Sequence, residues 1–160
     1  MPARRRSHHL YRLIGIVGTS RLVTRLHPVA YRLTGGAGVL GRQLGMRNVI
    51  LTTIGQRSGR PREAPLFSFE DGDRIVVIGS NAGGPEDPAW VRNLRANPAA
   101  TVRVGSTVRP VVGRVAEGEE RARLWGMAVE RYPGYEAYQR WAGRTIPVVV
   151  LEPRQPREEG

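Results

Sequence analysis

The sequence predicts an α+β domain, mainly β, in which a small antiparallel barrel carries peripheral helices. Short runs rich in β-branched residues recur from residue 48 onward, and most of the connections between them are short. Helical patterns come late in the chain and do not alternate with the strands, which argues against a parallel α/β sheet. A chain of 160 residues, 40% of them hydrophobic, is long enough to bury a core of this kind without disulfides.

The first half of the predicted barrel consists of three strands joined by two turns. Residues 48–54 (NVILTTI) and 64–69 form the first two strands, and residues 55–62 (GQRSGRPR) form the turn between them. Asp71 and Gly72 are typical of a hairpin turn, and residues 74–79 (RIVVIG) follow as the third strand.

The second half is predicted to contain three helices and three strands. After a loop over residues 80–88, Asp87 is expected to cap a helix and Pro88 to occupy its first position. This helix carries Trp90, Val91 and Leu94 and ends near Asn97. The later elements are strands over 101–104 and 108–115, a helix over 117–130, a short helix bearing Tyr135, Tyr138 and Trp141 after Pro133 and Gly134, and a closing strand over 147–151.

Charge divides the chain into unequal parts. All 25 basic residues are arginine; twelve of them and no acid precede Glu63, and thirteen arginines and fourteen acids make up the rest, so the charges are +12 and −1. Such asymmetry indicates an anionic partner for the front of the chain: a membrane surface, a nucleic acid or an anionic ligand. We therefore divide the chain into a basic N-terminal segment (residues 1–47), the barrel (48–153) and a tail (154–160) that is expected to fray.

The N-terminal segment contains an apolar stretch from Leu10 to Leu33 that arginines interrupt. The interruptions are too frequent for a transmembrane span, and Arg12 breaks the apolar core that a signal peptide would need. An amphipathic helix lying on a membrane surface and a helix packed on its own domain are both compatible with the pattern. We expect a cytoplasmic protein that can lie peripherally at the inner face of the cell membrane.

The residue inventory excludes several kinds of active site. The chain has no cysteine, which excludes a thiolate nucleophile and cysteine-ligated zinc or iron–sulfur sites, and no lysine, which excludes a Schiff base. The three histidines, at positions 8, 9 and 27, leave the body of the fold without a histidine triad, and no metal is expected. Redox chemistry would therefore need a borrowed cofactor.

Two glycine-containing connections are candidate binding sites. The turn after the first strand carries Arg57, Arg60 and Arg62, and guanidinium groups beside exposed amides suit a phosphate or a carboxylate. The alternative is a solvated hairpin tip. The loop from Gly79 to Gly84 offers backbone amides to an anion or to the polar edge of a flat ring, or it is an ordinary connection. Trp90, just beyond it, is either a core anchor or a ligand contact.

Tyrosines form the third candidate site. Tyr135 and Tyr138 share a helical face, Trp141 lies one further step along it, and Tyr132 precedes the Pro133 break. A core stripe is the usual explanation of such spacing. A tyrosine-rich lid over a planar substrate is the alternative, because tyrosine combines an apolar ring with a polar hydroxyl.

From residue 48 to residue 153 the chain resembles the deazaflavin-dependent nitroreductases of actinobacteria, also described as quinone reductases that use coenzyme F420. The segments that carry the resemblance are LTTIGQRSGRPREAPL, GSNAGGPEDPAWVRNLRANP, AEGEERARLW and ERYPGYEAYQRWAGRTIPVVVLEP. The resemblance implies a split β-barrel related to flavin-binding barrels. It also implies binding of the reduced 5-deazaflavin, a hydride donor with a phosphate and an anionic polyglutamate tail.

The resemblance also assigns roles to residues. The expected cofactor-binding residues are Gln56, Arg57, Ser58, Gly59, Arg62, Pro65, Leu66, Gly79, Ser80, Asn81 and Trp90. The expected acceptor-binding residues are Tyr132, Tyr135, Tyr138 and Phe67. Gln56 and Asn81 stand where the family often has basic residues, which reduces the expected contacts to the tail. Phe67 stands where an aromatic hydroxyl is common.

The function that follows is hydride transfer from reduced F420 to a quinone, an enone or a nitroaromatic acceptor. Tyr132, Tyr138 and Ser80 are the candidate donors to the acceptor, because a tyrosine with its usual pKa of about 10 keeps its proton at neutral pH. The alternatives are a non-catalytic deazaflavin or flavin carrier, an FMN-dependent reductase on the same barrel and, less favoured, a nucleic-acid-binding protein. Residues 1–47 are expected to contact an anionic membrane surface.

Overall fold

The computed structural model describes residues 45–154 of the chain. Their elements, in chain order, are β1 (Arg47–Ile54), β2 (Pro61–Asp71), β3 (Arg74–Ile78), a short 3-10 turn (Asn81–Gly83), α1 (Ala89–Ala96), β4 (Ala99–Val104), β5 (Thr107–Val115), α2 (Gly118–Arg131), α3 (Gly134–Ala142) and β6 (Val148–Pro153). The predicted basic N-terminal helix and the predicted frayed end of the tail lie outside the described residues. None of the helices within 45–154 is long and apolar enough to span a bilayer.

The six strands close into an antiparallel barrel in the order β1-β2-β3-β6-β5-β4, and β4 pairs back to β1. The predicted antiparallel barrel with peripheral helices is therefore confirmed. Alternate residues of the strands face the interior, where Val49 and Leu51 of β1 pack with Val102 and Val149. Helix α1 packs into the same interior cluster through Val91 and its neighbours.

One glycine permits the close approach of α1 to the barrel wall. A Cβ atom on Gly113 of β5 would lie 2.9 Å from both methyl carbons of Leu94, closer than side-chain atoms pack. Leu94 therefore occupies the space that any larger residue at position 113 would need.

A second cluster lies outside the barrel, where α2 and α3 cover β3 and β6. Val76 and Val150 pack there against Leu124, Ala128 and other helical residues. Strands β3 and β6 are thus buried on both faces, which explains why their sequences are continuous apolar runs without polar alternation.

The structure corrects two boundaries near the candidate sites. Strand β2 begins at Pro61, three residues before the predicted start, because it pairs with β1 from Ile54↔Pro61 to Arg47↔Ser68. Arg62 is therefore a strand residue. The predicted cap of α1 is also wrong: Pro88 occupies the N-cap position, and Asp87 makes no capping hydrogen bond because its carboxylate binds Arg95 and Arg144.

Candidate functional site

A cavity of about 1020 Å³ opens between the β1–β2 turn, the start of α1 and the residues that follow α3. Five arginines and three acids line it, so its walls carry a positive excess. The complete lining is Gly55, Gln56, Arg57, Ser58, Arg62, Glu63, Glu86, Asp87, Ala89, Arg92, Asn93, Arg95, Arg144 and Thr145. A positive concave surface of this size suits an anionic ligand.

The β1–β2 turn is closed by its own backbone. The Gly55 N–H donates to the Arg60 carbonyl at 2.9 Å, and the Gly59 N–H donates to the Gly55 carbonyl at 2.8 Å. Gly59 has a φ of +64°, the left-handed region that favours glycine. A Cβ at Gly55 would lie 2.6 Å from the Ser58 hydroxyl oxygen, so a larger residue there would displace the Ser58 side chain.

Asn93 of α1 holds the β1–β2 turn through two side-chain hydrogen bonds. Its side chain is only 5% exposed. The Nδ2 group donates to the hydroxyl of the fully buried Thr53 at 3.0 Å, and Oδ1 accepts the Gln56 N–H at 3.1 Å. Sequence reasoning missed Asn93. A polar residue at a helix position flanked by buried Trp90, Val91 and Leu94 was the available signal, because buried amides normally have hydrogen-bond partners.

The arginines of the cavity differ in their partners. Asp87 binds Arg95 at 2.5 Å and Arg144 at 2.6 Å, and Arg92 lies 3.7 Å from Glu86 in an exposed pair. Arg57 and Arg62 are exposed, and neither forms an ion pair with a carboxylate of residues 45–154. These two guanidinium groups are therefore the cavity charges that a bound anion can engage without competing with a carboxylate.

Several polar groups of the loop after β3 already form hydrogen bonds within the fold. The Gly79 N–H donates to the Pro147 carbonyl at 2.9 Å, so this amide is occupied within the fold. The carbonyls of Gly79 and Ser80 each accept from Arg144 at 3.2 Å. The Asn81 side chain donates to the Glu86 carbonyl at 3.1 Å within the same loop.

Three consecutive residues of this loop are left-handed. The φ angles are +47° at Asn81, +52° at Ala82 and +79° at Gly83. A left-handed conformation costs an L-residue about 1–2 kcal/mol, so the contacts around Asn81 and Ala82 must hold the loop in place.

The other residues predicted to bind the cofactor do not line the cavity. Trp90 is 7% exposed and packs with the barrel interior, and the partly buried Leu66 packs against the same cluster. Pro65 pairs with Ile50 across β1 and β2. Phe67, predicted to bind the acceptor, is 39% exposed and pairs with Asn48.

The predicted tyrosine cluster is assembled by the α2–α3 junction. The hydroxyl oxygens of Tyr132 and Tyr138 lie 3.1 Å apart, and the Tyr135 ring meets the Tyr132 ring edge to face at 5.1 Å. Burial raises the pKa of Tyr135 well above its ordinary value, and the neighbouring Tyr138 raises it further. A Cβ at Gly134 would lie 2.5 Å from the Tyr132 ring, so glycine is needed where the rings converge.

The same tyrosines belong to the core. Tyr135 and Tyr138 are buried in the helix-side cluster, and Tyr132 is partly buried against it. Of the three tyrosines only Tyr132 is half-buried rather than buried, and its hydroxyl lies 3.1 Å from the buried hydroxyl of Tyr138. The core interpretation therefore fits Tyr135 and Tyr138, and contact between Tyr132 and an acceptor stays a prediction.

The loop after β3 also touches the tyrosine helix. A Cβ at Gly83 would lie 3.1 Å from the Tyr138 Cα and 3.3 Å from the Trp141 Cβ. The loop that borders the arginine-lined cavity is thus in van der Waals contact with the helix that carries the tyrosines. Ser80 lies at the start of this loop, where it is the N-cap residue of the 3-10 turn.

Comparison with known proteins identifies close similarities. A family model described as F420H(2)-dependent quinone reductase matches residues 23–153. Two Mycobacterium tuberculosis proteins are similar to the chain. The putative F420H(2)-dependent quinone reductase Rv3178 is 40% identical over 106 residues, 66% of this chain and 89% of that protein. The F420H(2)-dependent quinone reductase Rv1261c is 35% identical over 138 residues, 81% and 89% of the two chains.

A solved structure extends the similarity to the fold. The F420-H2 dependent reductase FDR-A is 40% identical, with a TM-score of 0.61 over 66% of this chain and 93% of that chain. The alternative of an FMN-dependent reductase finds no support among these relatives.

Proposed function

The chain belongs to the F420H(2)-dependent quinone reductase family, and from that membership we propose that it is an oxidoreductase that uses reduced coenzyme F420 to reduce a quinone. The observation that carries the proposal in this structure is the arginine-lined cavity in which Arg57 and Arg62 lack carboxylate partners within residues 45–154. Enones and nitroaromatic compounds are the further acceptor classes that we propose to test.

The residues of the cavity fit the anionic part of such a cofactor. Arg57 and Arg62 would hold the phosphate and the polyglutamate tail, since guanidinium groups bind phosphate and carboxylate oxygens through paired N–H donors. Ser58 and Gly59 would contribute from the same turn. Asn93 already holds the turn in the protein without ligand, so binding would cost the turn little conformational entropy.

The chain's own contribution to the reaction is alignment and charge placement. Bound reduced F420 would supply the hydride, and one proton completes the reduction of a quinone to a quinol. The acceptor oxygen gains negative charge during the transfer, and a hydroxyl donor beside it stabilises that charge. We propose that Tyr132 donates this hydrogen bond, with Ser80 as the other candidate.

Tyr138 would make the Tyr132 hydroxyl a stronger hydrogen-bond donor. Its hydroxyl lies 3.1 Å from that of Tyr132, and either oxygen can be the donor of this contact. When Tyr138 donates to Tyr132, the Tyr132 O–H becomes a better donor, because hydrogen bonds in a chain polarise one another.

The decisive experiment measures oxidation of reduced F420 by menadione, followed by absorbance, together with titration of F420 and FMN. The Arg57→Gln/Arg62→Gln variant is compared with Arg109→Gln, an exposed arginine of β5 outside the cavity lining. The cavity variant should bind F420 at least about tenfold more weakly, as expected for a lost charge-assisted hydrogen bond, and Arg109→Gln should bind like the wild type.

Two results would contradict the proposal. Unchanged affinity in the double variant would remove the cavity as the cofactor site. Tight F420 binding without menadione-dependent oxidation, with enone and nitroaromatic acceptors equally inactive, would favour the non-catalytic carrier instead.

We also propose that residues 1–47 bring the enzyme to the inner face of the cell membrane. The support is the run of arginines without an acid before Glu63, since basic segments bind anionic lipid surfaces. The full-length chain should sediment with anionic vesicles at low salt, much less at high salt, and not with zwitterionic vesicles. Binding to DNA in place of vesicles would favour the nucleic-acid alternative.

A further inference from the structure

We propose that Arg144 is a positioning residue that holds the loop over residues 79–87 between the cofactor cavity and the tyrosine helix. The inference rests on the proposed function for its catalytic consequence. Its structural part concerns this chain alone. Arg144 follows α3, lines the cavity and has a side chain that is only 16% exposed.

The guanidinium group bonds the loop at both ends. At the start of the loop, Nη2 donates to the carbonyls of Gly79 and Ser80, each at 3.2 Å. Further along, Nε donates to the Gly84 carbonyl at 3.1 Å, and Nη1 donates to Asp87 at 2.6 Å. Three of these four acceptors are backbone oxygens, so the side chain fixes the course of the main chain.

These partners distinguish Arg144 from the arginines expected to bind the cofactor. Arg57 and Arg62 present their charge to the cavity without an ion pair within residues 45–154. The Arg144 charge is compensated by Asp87, and its donors are directed to the loop. Arg144 therefore acts on a ligand through the loop.

The loop requires such a support because its backbone is left-handed at Asn81 and Ala82. Its other side lies against α3, where Gly83 meets the backbone of Tyr138. Arg144 and α3 thus enclose the loop from two sides, and the position of Ser80 relative to Tyr138 depends on both. Small displacements of aligned groups cost large factors in rate, which gives this arrangement a catalytic consequence.

The first test is amide hydrogen exchange on the full-length protein without cofactor. In Arg144→Lys the charge stays, but a single ammonium nitrogen cannot reach all four acceptors. The Gly83 and Gly84 amides, which bond within the loop at 2.9 Å, should exchange at least about tenfold faster, and amides of β3 should be unchanged. Arg140→Lys is the matched control, since exposed Arg140 has only a 4.0 Å pair with Glu136.

The second test is steady-state reduction of menadione at saturating reduced F420. Arg144→Lys should lower kcat by about tenfold, with the dissociation constant for F420 within about threefold of the wild type, because the unpaired arginines are retained. Asp87→Asn, which removes one partner of Arg144, should show a smaller loss in the same direction. Arg140→Lys should match the wild type in both measurements.

The outcomes separate this inference from the proposed function. Unchanged exchange at Gly83 and Gly84 overturns the role of Arg144, and so does faster exchange with unchanged kcat. If the wild type fails to oxidise reduced F420 with any acceptor, the proposed function fails instead. The exchange experiment then still decides whether Arg144 holds the loop.

Discussion

Replacing Asn93 with leucine should damage both stability and cofactor binding. The side chain is 5% exposed and joins the fully buried Thr53 hydroxyl to the Gln56 amide of the β1–β2 turn. Leucine has a similar size but no hydrogen-bonding group, so both partners lose their bond. A buried polar group left unsatisfied costs about 1–3 kcal/mol.

The two hydrogen bonds lost in Asn93→Leu contribute unequally to the loss of stability. Thr53 is 0% exposed, so leaving its hydroxyl without a partner costs the full free energy of an unsatisfied buried group. Gln56 is exposed, so water can replace part of the hydrogen bond that its N–H loses. Together they amount to about 2–4 kcal/mol, equivalent at about 4 °C per kcal/mol to a fall in Tm of roughly 8–16 °C for a domain of this size. Thermal and urea unfolding measure the loss.

A double variant tests the cause. Thr53→Val removes the hydroxyl that Asn93→Leu leaves unsatisfied, so Asn93→Leu/Thr53→Val should recover part of the stability, as expected when both partners become apolar. If the double variant loses the sum of the two single losses, the contact between Asn93 and Thr53 does not couple them, and the reasoning from their hydrogen bond is refuted.

Cofactor titration supplies the functional part of the test. Asn93→Leu should weaken F420 binding, because the turn that carries Arg57 loses its anchor. Asn97→Ala is the control: the Asn97 side chain accepts the Ala99 N–H at 3.1 Å beyond the end of α1, away from the cavity lining. It should lower stability without changing F420 affinity. Equal affinity in both variants would show that Asn93 supports the fold alone.

Three further predictions concern the tyrosines, the barrel end and acid stability. Tyr132→Phe should slow menadione reduction by about tenfold, the loss of roughly 1.4 kcal/mol, and Tyr138→Phe by less, with F420 affinity and Tm near the wild-type values; full activity in both would remove these hydroxyls from the mechanism. Gly79→Ala places a Cβ 2.7 Å from a proline ring carbon, and overpacking of about 1–3 kcal/mol should appear as a lower urea midpoint; an unchanged midpoint would show that the site can relax. The hydrogen bond from Arg123 holds the pKa of Asp71 at about 2, below its unfolded value, so the contribution of Asp71 is present above about pH 4 and is lost as the pH falls towards 2. Asp71→Asn should flatten that part of the pH dependence of unfolding, and an unchanged profile would contradict it.

Local pattern was sufficient to predict the strands and the tyrosine group. Residues 48–54 (NVILTTI) form a short run rich in β-branched residues, as is typical of a strand, and the three-residue spacing of Tyr135 and Tyr138 follows a helical face. Each of these signals lies within a single element. The hairpin pairings of the barrel then follow from short connections between neighbours in the chain.

The hydrogen bonds that hold the site in place could not be predicted from local sequence pattern. Arg144 reaches Gly79 across 65 positions of sequence, and Asn93 reaches Gln56 across 37. No period links such pairs, because the closure of the barrel brings them together. Asp87 failed as a predicted cap although its position before Pro88 matched a local rule: its carboxylate binds Arg95 of α1 itself and Arg144, 57 positions away.

The charge asymmetry of the sequence has a structural counterpart in the barrel. Four arginines of the described residues precede Glu63, the first acid, and only Arg47 among them has a carboxylate partner, an exposed contact of 3.1 Å to Glu70. Arginines later in the chain, such as Arg114 and Arg144, bind carboxylates that also follow Glu63 in the sequence. The turn and the start of β2 therefore keep uncompensated positive charge at Arg57 and Arg62, where the cavity opens. Within residues 45–154, these two uncompensated charges lie at one edge of the barrel, beside the loop that Arg144 holds against the tyrosines.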